Sequence, residues 1–532
     1  MEIQGLAVTT GLTTIQDIQM QTEDVVGQVV TVVAEKPLIN MNATNTTRVV
    51  DAELIENMAI RGVQNVVGLQ TGVVTRDGDI HIRGSRYQDV AYYVDGVYMN
   101  DVYDLRNTSN VSNVAMEEMQ LQTGGFSAQF GNANGGVVST STRTGGEKMN
   151  LDFEFVTGLG ASGDGPDDKL YSLGYNLYNV SLGGAIGPKV RYFVNYEGRT
   201  TDDPRPSNGA HYSMDRTPID LVWDSLTVST VDGEQVVNGS MYVGGDLIGT
   251  VSELAAPTLG SVIEDSLAAF YGDTYEVIDA ARTLATDTTG VWWINGYDNF
   301  QTLYGPRDNV GSDRSNLSGN VMFDLKPFKI KVGGSMNTLT SKNYLNLVGS
   351  IYGYAGQLLN SANNFRTEAN QSTFYTNLTW VLGTRSYVKA KFSMFKNEEV
   401  RGDDTHWDNI LDYGDPKLNP YMSGLGVNPT SIEALANWAA FGTVYDDYRK
   451  QTTSYTGLSL DYLNQIGKHE LTAGFEYRGN TLKYYRVAQP IEIAQGLFDE
   501  YGNELNVSDS AQFTIYRNAF TENYGYDLFG NE

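Results

Sequence analysis

From Leu151 onward, apolar and polar residues alternate one by one in long runs. Over Glu470–Tyr485, Leu471, Ala473, Phe475 and Tyr477 share one face, with Thr472, Gly474 and Glu476 on the other. Ser386–Val400 repeats the scheme, setting Val388, Ala390, Phe392 and Met394 against Lys389, Lys391 and Ser393. A period of two marks a strand with one apolar and one polar side. The same reading places strands over Leu151–Gly160, Leu173–Ile186, Lys189–Thr201, Arg314–Leu325, Phe328–Thr340, Ser372–Leu382 and Ser454–Ile466. That makes about nine strands, an odd number for a barrel that must close.

The connections alternate too. Gly187-Pro188, Lys326-Pro327, Gly383-Thr384-Arg385 and Gly467-Lys468 are tight turns. Between them lie long polar segments at Asp202–Asp313, Ser341–Gln371 and Arg401–Thr453, with a shorter one at Ala161–Ser172. Compact soluble domains rarely hold such loops, whereas outer-membrane barrels pair short periplasmic turns with long extracellular loops. In the longest segment, Ile263, Leu267 and Phe270, then Val277, Ala281 and Leu284, are spaced as two short amphipathic helices.

The texture before Leu151 is different. Val25–Val33 is apolar and β-branched, a strand or an extended peptide. Between Thr47 and Thr144, short helices at Asp51–Asn57 and Val63–Leu69 precede glycine-punctuated strands at Ile80–Gly84, Ala91–Gly96, Met119–Gln122 and Gly136–Thr140. This is a separate mixed α+β domain of ordinary size.

Composition narrows the chemistry. A net charge of −28 argues against nucleic acid, since a phosphate backbone calls for clustered cations. The absence of cysteine removes disulfides, zinc-thiolate sites and thiol nucleophiles. Thirty-four tyrosines and 57 glycines suit a large β protein with aromatic girdles. No stretch is apolar enough for a transmembrane helix, and Met1–Gly5 shows neither a basic nor an apolar signal region. The acidic pairs Asp403-Asp404, Asp446-Asp447 and Asp167-Asp168 read as solvated loop charges rather than catalytic carboxylates. The four histidines are scattered, without metal-ligand spacing. No cofactor, catalytic residue or metal site is expected, leaving only loop calcium at Asp164, Asp167 and Asp168 or at Asp403, Asp404 and Asp408.

Three motifs then carry a resemblance. Asn65–Val74 with its closing glycine, Ile80-His81-Ile82-Arg83-Gly84, and Val94-Asp95-Gly96-Val97 occur in order, followed by the block Glu117–Gly136. Together these resemble the plug domain of TonB-dependent outer-membrane receptors, in the branch with a carboxypeptidase-regulatory-like domain in front. The resemblance implies three parts: residues 1–24 as a remnant of a β-sandwich, 25–147 as the plug, and 148–532 as the first part of a 22-strand-type barrel. The expected fold is thus an α+β plug domain followed by an incomplete antiparallel transmembrane β-barrel, a fragment truncated at both ends.

The resemblance also implies roles. Val29, Val30, Thr31, Val32, Val33 and Ala34 stand where a TonB-type energy-coupling protein would capture a strand, although a structural strand is an equal reading of the same run. Arg83, on the strand after Ile82, would latch onto acidic residues of the barrel wall. Asp95 is a turn-former, and Gly84, Gly96, Gly124, Gly131 and Gly136, with Gly72, would serve left-handed turns or close backbone approach. The expected function is TonB-dependent import of a scarce small ligand (iron chelate, cobalamin, glycan or peptide) across the bacterial outer membrane, in contact with outer-membrane lipid. A non-transporting surface protein or an inactive gene fragment is the alternative.

Overall fold

A computed structural model of the chain describes residues 46–158, 174–203, 310–343, 365–414, 444–495 and 517–532, apart from 59 and 468, together with 2–4, 31–33 and parts of 211–303. At the start, β1 (Glu2–Gln4) and β2 (Thr31–Val33) pair in parallel, with Ile3 opposite Val32.

The N-terminal domain begins with β3 (Thr47–Asp51), which runs directly into α1 (Ala52–Asn57). Asp51 starts the helix by accepting the Leu54 amide at 3.1 Å, satisfying a donor that the first turn would otherwise leave open. A second helix, α2 (Val63–Gly68), buries Val63, Val66 and Val67. Then follow β4 (Val73–Arg76), β5 (Asp79–Ile82), β6 (Val90–Val94), β7 (Val97–Tyr98), β8 (Met116–Gln122) and β9 (Gly136–Thr142). The main sheet has the order β3-β8-β9-β6-β7, with β6 and β9 parallel and the other pairs antiparallel. Its core holds Val50, Ile55, Val66, Ile80, Ile82, Met116, Met119, Leu121 and Val137, and burying each such side chain contributes about 1.5–3 kcal/mol.

After the linker the chain forms β10 (Asn150–Thr157), β11 (Asn176–Ile186) and β12 (Val190–Thr201). The long segment that follows was expected to be loop with two helices, and here the structure differs. It carries β13 (His211–Ser213), β14 (Arg216–Val231), β15 (Glu234–Val243), β16 (Asp246–Ala255), β17 (Tyr275–Ile278), β18 (Val291–Gly296) and β19 (Gln301–Leu303). Five of these make a separate sheet in the order β16-β15-β14-β18-β17. Val277 lies in a strand opposite Ile294, so the helical spacing there was coincidental; Val262, Asp265, Ser266, Ala269 and Phe270 are helical, as expected of the first helix, while Ile263, Leu267, Ala281 and Leu284 lie outside the described residues.

The chain then returns as β20 (Ser312–Leu325), β21 (Phe328–Asn343), β22 (Phe365–Val381), β23 (Ser386–Asp403), β24 (Tyr448–Ile466), β25 (His469–Val487) and β26 (Thr521–Tyr524). With β10–β12 they form one antiparallel sheet of ten strands, one more than the sequence reading counted. The strands also run further toward the long connections than alternation indicated. β22 begins at Phe365 rather than Ser372, and β24 at Tyr448 rather than Ser454.

This ten-stranded wall has inverted polarity. The face turned to the N-terminal domain buries Asn179, Ser181, Asn195, Asn316, Asn320, Asn337, Gln371, Ser393 and Thr453. The opposite face exposes Phe153, Val180, Val194, Leu317, Met336, Phe374, Met394 and Leu458. A water-soluble sheet would lose free energy in that arrangement, whereas a sheet facing hydrocarbon gains it.

Candidate functional site

The densest chemistry lies where the N-terminal domain meets the wall. Asp95 and Gly96 form the two-residue turn between β6 and β7, with φ of 48° and 82°. Two successive positive φ values define the hairpin turn whose twist matches its strands, and Asp-Gly supplies it at low cost. The turn aims the Asp95 carboxylate at the wall. It accepts from Lys331 Nζ at 2.9 Å, from the Tyr375 hydroxyl at 2.6 Å and from the Thr142 amide at 3.1 Å. Asp95 Nα–H in turn donates to the Thr140 carbonyl at 2.9 Å, tying the turn to β9. Next to it, Lys391 Nζ donates to the Gly96 carbonyl oxygen at 2.5 Å. The ion pair is sheltered, with 5% of the Asp95 side chain and 18% of the Lys331 side chain exposed.

Gly333 makes this geometry possible. A Cβ there would stand 2.6 Å from the Tyr375 phenolic oxygen, so the ring crosses the bare backbone to reach Asp95. Phe193, Tyr375, Phe395 and Tyr455 from the wall belong to the same buried cluster as the N-terminal core.

Further toward the long connections, a belt of hydrogen bonds ties the N-terminal domain to the wall. Asp101, buried, accepts from Asn397 Nδ2 at 3.0 Å, Thr453 Oγ1 at 2.7 Å and its own loop's Tyr103 amide at 2.7 Å. Asn316 donates to the Asn110 carbonyl at 2.6 Å, Gln371 to Thr108 at 2.9 Å, and Asn179 to Ser112 Oγ at 2.6 Å. Arg61 reaches Glu154 on β10 through both guanidinium nitrogens. Where the loop tip opens, Tyr103 stacks on Tyr484 with ring centroids 5.3 Å apart. Burial pushes the neighbouring Asp104 carboxyl up, with Asp101 and Glu399 adding to the rise.

Residues 40–138 match the family model described as the TonB-dependent receptor plug domain. The chain carries a TonB-dependent receptor plug. Over 136 residues it is 28% identical to the TonB-dependent transporter Oar of Myxococcus xanthus, a match covering 24% of this chain and 13% of that protein. Among solved structures, the ferric citrate transporter FecA in its unliganded form aligns at 13% identity with a TM-score of 0.37, covering 84% of this chain and 57% of that one. The siderophore receptor PirA from Pseudomonas aeruginosa aligns at 12% with a TM-score of 0.34, covering 83% and 58%. The chain therefore spans only part of the length of the proteins it matches.

Against this plug the predicted site residues sort unevenly. Arg83 was expected on a strand, pointing to the wall. Instead β5 ends at Ile82, and Arg83 and Gly84 form a turn of their own, with φ of 50° and 79°. The Ser85 amide closes that turn on the Ile82 carbonyl at 3.0 Å. Arg83 is exposed, its guanidinium lies beside Gly124, and among the described residues it pairs with no wall carboxylate. Among the described residues, Asp95–Lys331 and Arg61–Glu154 are ion pairs that join plug and wall. Asp95 is a turn-former, as expected, and also an anchor.

Gly72, Gly84 and Gly96 hold positive φ, and a Cβ at Gly136 would meet Ile82 Cδ1 at 2.6 Å. Gly124 has no positive φ, which falls on Gly125 instead, but a Cβ at Gly124 would crowd Arg83 Nη1 at 2.9 Å. Gly131 meets neither expectation: it is exposed and in ordinary contact distance of its neighbour. Of the coupling segment, Thr31–Val33 form β2, while Val29, Val30 and Ala34 lie outside the described residues. Asp403 and Asp404, two of the carboxylates offered for loop calcium with Asp408, have protein partners. Asp403 accepts the Thr405, His406 and Tyr445 amides, and Asp404 pairs with Lys342 at 2.7 Å and Arg366 at 3.1 Å. Asp164, Asp167 and Asp168 lie outside the described residues. Sequence reading gave no role to Lys331, Lys391, Tyr375 or Asp101, although Lys391 was visible on the polar face of its strand.

Proposed function

We propose that this chain is the plug and adjoining wall of an importer in the bacterial outer membrane, driven by a TonB-type energy-coupling protein. The observation that carries the reading is a plug domain lodged against an antiparallel sheet whose buried face is polar and whose exposed face is apolar. The long connections would face the outside and admit a scarce small ligand, and the tight turns would face the periplasm. The wall's apolar face would meet lipid. The chain's part in this is binding and gating, with no covalent chemistry.

The segment Val29–Ala34 is the proposed handle. Capture by strand addition needs backbone amides on a free edge and tolerates varied side chains. Val32→Pro removes an amide and fixes φ, so it should weaken binding of a purified periplasmic TonB domain to the full chain at least tenfold, measured by calorimetry. Val32→Thr should bind as the parent does. Equal binding by the proline variant would overturn the assignment of the handle.

A further inference from the structure

On the wall's apolar face two glycines of neighbouring strands lie side by side. Gly319 on β20 and Gly334 on β21 are register partners. Their row continues as Val194 on β12 and Phe374 on β22, both well exposed. Leu317 and Met336 form the next row toward the long connections, and Val321 and Val332 the next toward the tight turns. A two-glycine floor is thus flanked by apolar side chains, and the open trough over it measures about 360 Å³.

The floor cannot be raised from below. A Cβ at Gly334 would overlap the Thr373 carbonyl oxygen, and one at Gly319 would stand 2.9 Å from the Phe193 carbonyl. From strand spacing, the gap between Val194 and Phe374 is about 14 Å, and that between the flanking rows about 13 Å. Val194, Leu317, Met336 and Phe374 at the rim carry no nitrogen or oxygen in their side chains; Ser318, Ser335 and Thr373 also line the trough, and the Ser335 and Thr373 hydroxyls bond to each other at 2.8 Å. Val194 and Phe374 close both ends at side-chain height. A rigid helix, about 10–12 Å across, would ride on these ends, whereas a flexible hydrocarbon chain bends into the floor. The trough is continuous with the rest of the lipid-facing side.

We propose that this trough seats one acyl chain of a membrane lipid, making a specific lipid site on the wall. The proposal rests on the reading that the apolar face lies in a bilayer. The full chain would be reconstituted in dioleoyl phosphatidylethanolamine bilayers containing a phosphatidylethanolamine with a photoactivatable diazirine in its acyl chain. Labelling should concentrate on Val194, Leu317 and Met336 at least fivefold over Val180 and Met394, which face the same side elsewhere. Native mass spectrometry should retain one lipid per chain, lost in Met336→Trp and kept in Met394→Trp. Even labelling around the wall, or equal retention by both variants, would overturn the site while leaving the membrane reading intact. Failure of the chain to enter bilayers would overturn both. Should Met336→Trp not fold, the labelling pattern of the parent chain decides alone.

Discussion

Asp95→Asn tests the plug anchor most directly. Lys331, Tyr375 and the Thr142 amide and hydroxyl all donate to the two carboxylate oxygens of Asp95. An amide keeps the shape, but it offers a single acceptor oxygen and no charge, which strands the Lys331 ammonium. Removing one partner of a buried ion pair costs about 3–5 kcal/mol. Lys331 retains 18% side-chain exposure, and solvent there softens the loss. We therefore expect about 2–3 kcal/mol, which is roughly a 30- to 150-fold change in an opening equilibrium. The assay is amide hydrogen exchange on the full chain, read at Asp95 and Met99. These amides are held by Thr140 and Tyr92 at 2.9 and 2.8 Å, bonds that join the hairpin to β9 and close it on itself, so they exchange when the hairpin opens. Lys331→Met and the double variant complete a cycle, with an expected coupling above about 1 kcal/mol. Unchanged exchange in Asp95→Asn, or strictly additive single effects, would refute the anchoring argument.

Three other expectations follow from the same contacts. Gly333→Ala places a methyl 2.6 Å from the Tyr375 phenolic oxygen and should lift that ring from Asp95, costing about 1 kcal/mol in the same exchange assay; added to Tyr375→Phe, it should cost little more. Gly145→Val should dislodge the linker, because a Cβ there overlaps the carbonyl oxygens of Tyr192 and Gly184; urea unfolding should show a loss of about 1–3 kcal/mol or more. Asp446 accepts the Ile491 amide at 2.9 Å, and burial, with Glu492 and Asp447 nearby, pushes its carboxyl up to about 6. The folded value lies above the ordinary aspartate value of 3.8, so the protonated form is favoured when folded. Stability there should fall as pH rises from about 4 through about 6, by about 1–2 kcal/mol after discounting for solvent screening. Exchange at Ile491 and Ile493, corrected for intrinsic rates, should show this slope in the parent chain, and Asp446→Asn should flatten it.

How far the sequence spoke depends on what each residue answers to. The wall strands were legible because alternation is a local property: Leu471, Ala473, Phe475 and Tyr477 declare their face without reference to any other strand. The limits of that signal explain the clipped ends. Phe365–Gln371 and Tyr448–Thr453 continue β22 and β24 where the outer face turns polar, so no apolar beat marks them. The insertion after β12 misled for the opposite reason. Val277, Ala281 and Leu284 are few enough to fit a helix by chance, and the true neighbour of Val277, Ile294 in β18, follows after a gap that local reading cannot bridge.

The plug shows the same division. The sequence by itself determined that an α+β domain precedes an inverted strand wall, and that Asp95-Gly96 must turn, since left-handed backbone at two successive positions favours those residues. It could not say which polar side chain meets the wall. Arg83 and Asp95 both end short strands and both carry charge, and a strand's period distinguishes inside from outside but not one partner from another. Lys331 lies 236 residues beyond Asp95, and only the docking of the plug on β21 brings the two within 2.9 Å. Turn geometry is decided locally, whereas an ion pair is decided by where two separately folded surfaces come to rest.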